Sequence, residues 1–303
     1  LGLVFTACTD LEVEEVESVV IEDEAGGFSG DAGALLETAY NQLGALTAQQ
    51  NTYSLLVHTS DEMIPPTRGT DWGDNGVWRL LHSHNWDPTH QYILDAWNEL
   101  NSRVFTTNQV LASTNPAPNP QQTAEAKFLR AFYMWHVMDL YGQVPFREVN
   151  EGVDVDPRVL TRAEAFDFIV RDLEEALPDL PTAGPSATND RASQAAANAL
   201  LARLYLNRGV YNATVNEQGA LSPTFDQADM TRVIEHADAV IADGYTLEEN
   251  YYNNFSTNAQ SELILVNAEG AGDAETRFYM TLHYDHNPSG WNGFATLADF
   301  YAK

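Results

Sequence analysis

The stretch A-E-A-K-F-L-R-A-F-Y-M-W-H-V-M-D-L-Y-G-Q-V-P, residues 124–145, decides the fold. Phe128, Leu129, Phe132, Trp135, Val137, Met138 and Leu140 lie mostly three or four residues apart. That spacing gives a helix a wide apolar stripe with little polar surface left over. Such a helix must be buried on several sides. Gly142 is predicted to end it, and Pro145 keeps it from resuming.

Other helical patterns flank this one. Asp31 reads as the cap of a helix to about Leu46, with Leu35, Leu36, Ala39, Tyr40 and Leu43 inward. A second helix runs from about Ile93 to Leu111, with Trp97, Leu100, Val104 and Asn108 on one face. The prolines at 116, 118 and 120 read as a break. Thr161 and Glu164 form a capping box that opens a helix with Phe166, Ile169, Val170, Leu173 and Leu177 inward. Residues 189–208 read as an alanine-rich helix ended by Gly209, and its small residues Ala195, Ala196, Ala199 and Ala202 permit close packing. Residues 231–242 read as a further helix, stopped by Gly244. Residues 51–64 are ambiguous, 65–88 are loop-rich, and 262–265 alternate like a short strand. The prediction is a mainly α chain, a helical array with loop-rich segments and minor β structure.

Composition narrows the partners. The chain has 303 residues, 44 of them acidic and 15 Lys or Arg, for a net charge of −29. Only Lys127 and Lys303 are lysines. Phosphate binding needs a basic patch, so nucleic acid is excluded as the expected partner. A surface this acidic fits adaptation to high salt, where ions screen the self-repulsion. One cysteine, Cys8, allows no internal disulfide. The apolar run Leu1–Ala7 leads into it as F-T-A-C, which looks like the end of a signal peptide with a lipoprotein cleavage box. An acidic tract, Thr9–Glu24, follows. The expected organisation is a signal tail with lipobox at 1–8, an acidic tether at 9–30 and a helical domain at 31–303.

The aromatic helix running into L-Y-G-x-V-P resembles the signature of the SusD/RagB family of surface glycan-binding lipoproteins. Residues 191–209 are similar to that family's repeat helix, and P-S-G-W-N-G-F-A-T-L-A-D-F-Y from Pro288 is similar to one of its mid-chain features. The acidic tract after Cys8 resembles the surface-export signal of such lipoproteins. The resemblance implies helix pairs like tetratricopeptide repeats. It also implies lipidation at Cys8 and anchoring at the outer-membrane surface. In function it implies capture of an oligosaccharide, with no bond chemistry, and its delivery to a TonB-dependent β-barrel transporter. Members of the family continue well past this point, so a C-terminal part is expected beyond Lys303.

A sugar ring offers an apolar C–H face and a rim of hydroxyls. Recognition therefore needs a flat aromatic and fixed polar partners. Trp72 lies in the loop R-G-T-D-W-G-D-N-G, residues 68–76, with Asn75, Asp71 and Arg68 of the right types for hydroxyl contacts. The spacing of Trp72 and Asn75 resembles a tryptophan–asparagine pair in the family's starch-binding member, and Asp61 and Arg68 are weaker carry-overs. Trp72 reads equally as a platform or as a core plug beneath the loop, whereas Trp78, in W-R-L-L, reads as core. Trp291, flanked by Gly290 and Asn292, is a second candidate platform, or else a packing residue at a seam. Tyr284 is a third candidate.

His82 with His84, and His283 with His286, have close spacings but lack a recognisable third ligand, so no metal site and no cofactor is expected. The residues around Asp71, Asp74 and Asn75 lack the spacing of an EF-hand. Two rival functions remain at this point. One is a helical-repeat adaptor or peptide-cargo binder. The other is a carbohydrate-active enzyme, though no motif selects a carboxylate pair.

Overall fold

The computed structural model describes residues 20–21, 28–60, 62–151, 154–214, 216, 220–267, 276–286 and 290–302. Its elements in chain order are β1 (Val20–Ile21), β2 (Phe28–Ser29), α1 (Ala32–Asn41), α2 (Asn51–His58), β3 (Met63–Ile64), α3 (Val77–His82), α4 (Gln91–Ala112), α5 (Pro120–Tyr141), β4 (Gln143–Phe146), β5 (Arg158–Thr161), α6 (Arg162–Ala176), α7 (Gln194–Tyr211), α8 (Gln227–Ala242), α9 (Thr276–Thr281), β6 (Ala295–Thr296) and α10 (Ala298–Tyr301). Helices dominate. The strands form only two-stranded antiparallel pairs, β1–β2, β3–β6 and β4–β5. Neither Cys8 nor the acidic tract up to residue 19 lies within the described residues.

The aromatic helix is α5, and it is the centre of the fold. Phe128, Leu129, Tyr133, Met134, Val137 and Met138 are each 1% exposed or less. Burying side chains of this size stabilises the fold by roughly 1.5–3 kcal/mol each. α4, α6 and α1 pack directly on α5, and α7 joins α6 and then α8. The helix starts earlier than its apolar stripe. Asn119 and Gln122 close a reciprocal capping box, and Pro120 occupies the first turn, where its missing N–H costs nothing. Pro120 thus opens the helix rather than belonging to a break. At the other end Gly142 adopts φ 70°, a conformation that favours glycine, and its N–H reaches the carbonyl of Met138. Arg162 lies directly over this glycine, so a side chain there would collide with the guanidinium.

Polar groups cross the core in pairs. Arg130 of α5 grips Asp172 of α6 with two bonds, Nε to Oδ2 at 2.7 Å and Nη2 to Oδ1 at 2.8 Å, and both side chains are buried. Burial raises the Asp172 carboxyl above its usual range, and the Arg130 contact opposes that shift. Glu125, also buried, takes Arg191 at 2.8 Å, and Arg191 in turn bonds Glu37 of α1. Tyr133 donates to the carbonyl of Ala39 at 2.7 Å.

Several boundaries differ from the sequence reading, and α7 opens at Gln194 rather than 189 and α8 at Gln227 rather than 231. The first helix stops at Asn41, and a separate short turn of helix covers Gly44–Thr47. α7 runs through Gly209 to Tyr211, because Tyr211 is buried and its hydroxyl bonds both Trp135 and Asp139. Residues 262–265 form turns and bends rather than a strand. There the Glu262 carboxylate takes the N–H of Glu248 and the amide of Asn254, so the segment is held by side-chain bonds. The ambiguous stretch 51–64 resolves into α2 followed by β3.

A second, smaller apolar cluster sits beside the main core. It comprises Leu55, Trp78, Leu81, Tyr92, Ala96, Met280 and Phe294. Leu140 and Tyr141 of α5 touch both clusters. The candidate site stands on this second cluster.

Candidate functional site

Two chain segments far apart in sequence meet over the second cluster. The first runs from β3 to α3, and the second from α9 to β6. Their ends are paired as strands, with Met63 opposite Thr296 and Ile64 opposite Ala295. Thr296 adds a bond from its hydroxyl to the carbonyl of Glu62 at 3.0 Å.

The first segment is a strained turn. Arg68 and Asp71 exchange backbone bonds of 3.0 and 2.9 Å. Trp72, Asp74 and Asn75 then have φ of 61°, 35° and 53°, left-handed values at three non-glycine residues. Such residues cost on the order of 1 kcal/mol each and persist where the surroundings hold them. Here the holders are visible. Trp78, 2% exposed, donates its indole N–H to Asp74 Oδ2 at 2.6 Å and packs on His58, Tyr92 and Phe294. Trp78 is therefore a core residue, in line with its sequence reading.

The second segment drapes over α9. The N–H groups of Trp291, Asn292, Gly293 and Phe294 bond carbonyls of Tyr279, Leu282 and Met280 at 2.7–2.8 Å. Trp291 stacks on Tyr279 with centroids 5.8 Å apart and stays 38% exposed. At Gly293 an added side chain would meet Met280 at 2.7 Å and Trp72 at 3.1 Å, so glycine is what lets the two segments close.

Three further sets of bonds join the segments. Trp72 donates Nε1–H to the carbonyl of Trp291 at 3.2 Å, across 219 residues of sequence. Arg68 sends Nη1 to the carbonyl of Asn292, and to that of Gly293 at 3.2 Å. Tyr284 donates its hydroxyl to Asp71 Oδ2 at 3.0 Å. The result is an open pocket of about 520 Å³, lined by Thr70, Asp71, Trp72, Asp74, Tyr284, Gly290 and Trp291.

Among the sequence candidates, Trp72, Asp71, Trp291 and Tyr284 therefore come together around one pocket. Arg68 does not line it; its guanidinium is spent on backbone carbonyls. Asn75 is exposed on the flank of the turn and is also outside the lining. Asp61 lies outside the described residues. Thr70 and Gly290 line the pocket without having been singled out, since neither carries a side-chain signal of its own. Tyr279, which backs Trp291, has no sequence signal either, because the contact depends on the path of the chain between them.

The histidine pairs do not assemble ligand sets. His84 bonds the carbonyl of Thr59 at 2.8 Å and stacks edge-on to Trp86. His283 lies 3.4 Å from Asp285, and its ring centroid is 6.5 Å from that of His286. Among the described residues no group of three or more His, Cys, Asp or Glu could hold a metal ion. One histidine matters beneath the pocket. His58, wholly buried against Trp78 and Phe294, is pushed by burial down to about 4.

A family profile described as SusD-like, starch-binding associating with outer membrane, matches residues 22–206. The chain belongs to the SusD-like family. It is 31% identical over 207 residues to the starch-binding protein SusD of Bacteroides thetaiotaomicron, a match covering 64% of this chain and 34% of that protein. It is 29% identical over 279 residues to a SusD-like protein of Bacteroides ovatus, covering 87% and 47%. The match thus spans about a third to a half of these relatives. Among solved structures, a laminarin-binding SusD-like protein aligns with a TM-score of 0.71 at 22% identity, over 90% of this chain and 64% of that one. The mainly α SusD-like fold expected from the sequence is therefore established.

Proposed function

We propose that this SusD-like chain captures a glycan on the faces of Trp72 and Trp291. The observation that carries the reading is the convergence of Trp72, Trp291, Tyr284 and Asp71, from loops at two distant places in the chain, around one open pocket. Two indoles supply apolar platforms for sugar rings, while Asp71, Asp74 and the Thr70 hydroxyl supply polar edges for hydroxyl groups. The named relatives fit this reading. SusD of B. thetaiotaomicron is a starch-binding protein, one structural neighbour binds laminarin, and another was solved with laminarihexaose.

The proposed role is binding without bond chemistry. Asp71 accepts from Tyr284 and Asp74 from Trp78, so each carboxylate is tied as part of a fixed surface. Lipidation at Cys8 would hold the protein at the outer-membrane surface, where it passes its glycan to a TonB-dependent β-barrel. Tethering beside the barrel raises the effective concentration, so a modest affinity suffices.

Affinity electrophoresis against a polysaccharide panel, at low and high salt, tests the reading. Retardation by one polymer, lost in Trp72→Ala and in Trp291→Ala, is the expected result. A folded protein that no polymer retards would reject glycan as the cargo.

A further inference from the structure

A second cavity, of about 210 Å³, lies between α4, α5 and the turn that follows β4, and it shares no lining residue with the aromatic pocket. Val104, Phe105, Met134 and Phe146 give it an apolar wall. Asn101, Asn108, Arg130 and Arg147 supply its polar groups, and Glu148 and Glu151 stand among its lining residues.

Two arginines and two glutamates line it, and among the described residues Arg147 alone of the four makes no hydrogen bond or ion pair. Arg130 is neutralised by Asp172. Glu148 is paired with Arg158 at 2.8 Å, and Glu151 takes the N–H of Glu148 at 2.7 Å. Arg147 is half-buried, and its Nε is shut off from solvent with no acceptor. Among the described residues its guanidinium enters no hydrogen bond or ion pair. In this chain of net charge −29, Arg103, Arg130, Arg191, Arg208 and Arg232 hold carboxylates, whereas Arg147, like Arg162, has a shielded Nε with no acceptor. Asn108 gives Oδ1 to Arg130 Nη1 at 2.9 Å, which leaves its NH₂ group as a further donor. Leaving a guanidinium N–H out of water with no acceptor is costly, and a carboxylate accepting two parallel N–H bonds is the natural complement.

We infer that this cavity binds a small organic carboxylate, its charge against Arg147 and its apolar body against Phe105, Phe146 and Met134. The volume limits that body to about the size of one aromatic ring. The site is independent of glycan capture.

Benzoate is the probe, with benzamide as its uncharged counterpart, in an NMR titration of the intact protein. Benzoate is expected to shift backbone signals of residues 101–108 and 145–149, saturably, at concentrations where benzamide does not. Arg147→Gln is expected to weaken benzoate about tenfold or more, with Arg147→Lys in between. Equal binding of benzoate and benzamide would overturn the inference. So would benzoate shifts confined to other regions, or an affinity unchanged in Arg147→Gln. The wild-type shift map stands by itself should the variant fold poorly.

Discussion

α5 and the loop that carries Trp72 are both rich in aromatic residues, yet they are built on opposite principles. In α5 the backbone satisfies itself, caps close both ends, and the side chains disappear into the core. In the loop from Arg68 to Gly76 the backbone is strained at three non-glycine residues, and what holds it is a handful of bonds to a segment more than two hundred residues away. The helix is a local solution and the loop is a long-range one. The second kind suits a binding surface, because a loop propped from a distance keeps its aromatic side chains out of the core.

The sharpest way to break the comparison is to strike the scaffold. Asp172→Ala leaves Arg130 buried without its partner and is expected to cost about 3–5 kcal/mol of stability, read by chemical denaturation. The folded fraction should keep its polysaccharide affinity. A loss of affinity without a loss of stability would show that scaffold and site are not separable in this way.

Acid strikes a buried histidine in each region. His58 and His136 are both held by burial at about 4, below their ordinary value of 6.5. A lowered folded value means the native state prefers the neutral ring. Their contribution to stability is therefore present above pH 6.5 and lost as the pH falls towards 4. The full shift corresponds to on the order of 3 kcal/mol per histidine. Stability measured in steps from pH 7 to 4 should fall across that window, and His58→Asn should flatten part of the fall. An unchanged profile in that variant would remove His58 from the explanation.

The site itself should respond the other way round. Trp291→Ala is expected to lower glycan affinity by about 2 kcal/mol, or roughly thirtyfold, while shifting stability by less than about 1 kcal/mol. Trp72→Ala should match it in affinity but cost more stability, since Trp72 also packs on the second cluster. Smaller still is the effect of Arg68→Met, which removes the clamp without touching the pocket lining. It should weaken binding by about 1 kcal/mol and speed amide exchange at residues 291–294. Unaltered exchange there would mean that Arg68 does not hold the second segment.

The same contrast explains what was legible in the sequence. The apolar stripe, the Thr161–Glu164 capping box and Gly142 are local signals, and the body of α5 and the start of α6 follow from them, whereas the capping box at Asn119 lay hidden in what reads as a proline break. Where tertiary contacts override a local signal the reading slipped. Gly209 did not end α7, because burying Tyr211 outweighs it, and residues 262–265 alternate without a partner strand. At the site, glycine-rich settings marked Trp72 and Trp291 as separate candidates, each either a platform or a packing residue. Nothing local said that they face one pocket. Arg68 has the right chemistry for a sugar hydroxyl, but its acceptors are main-chain carbonyls of Asn292 and Gly293, which leave no trace in a residue pattern.

The central claim is that Trp72 and Trp291 form one binding surface, and the six indole N–H signals of the protein report on it directly. A titration with fragments of whichever polysaccharide retards the protein should move the Trp72 and Trp291 signals together, with one midpoint. Trp135, whose N–H is tied to Tyr211 in the main core, should stay still. Movement of only one of the pair, or of both with different midpoints, would contradict the account.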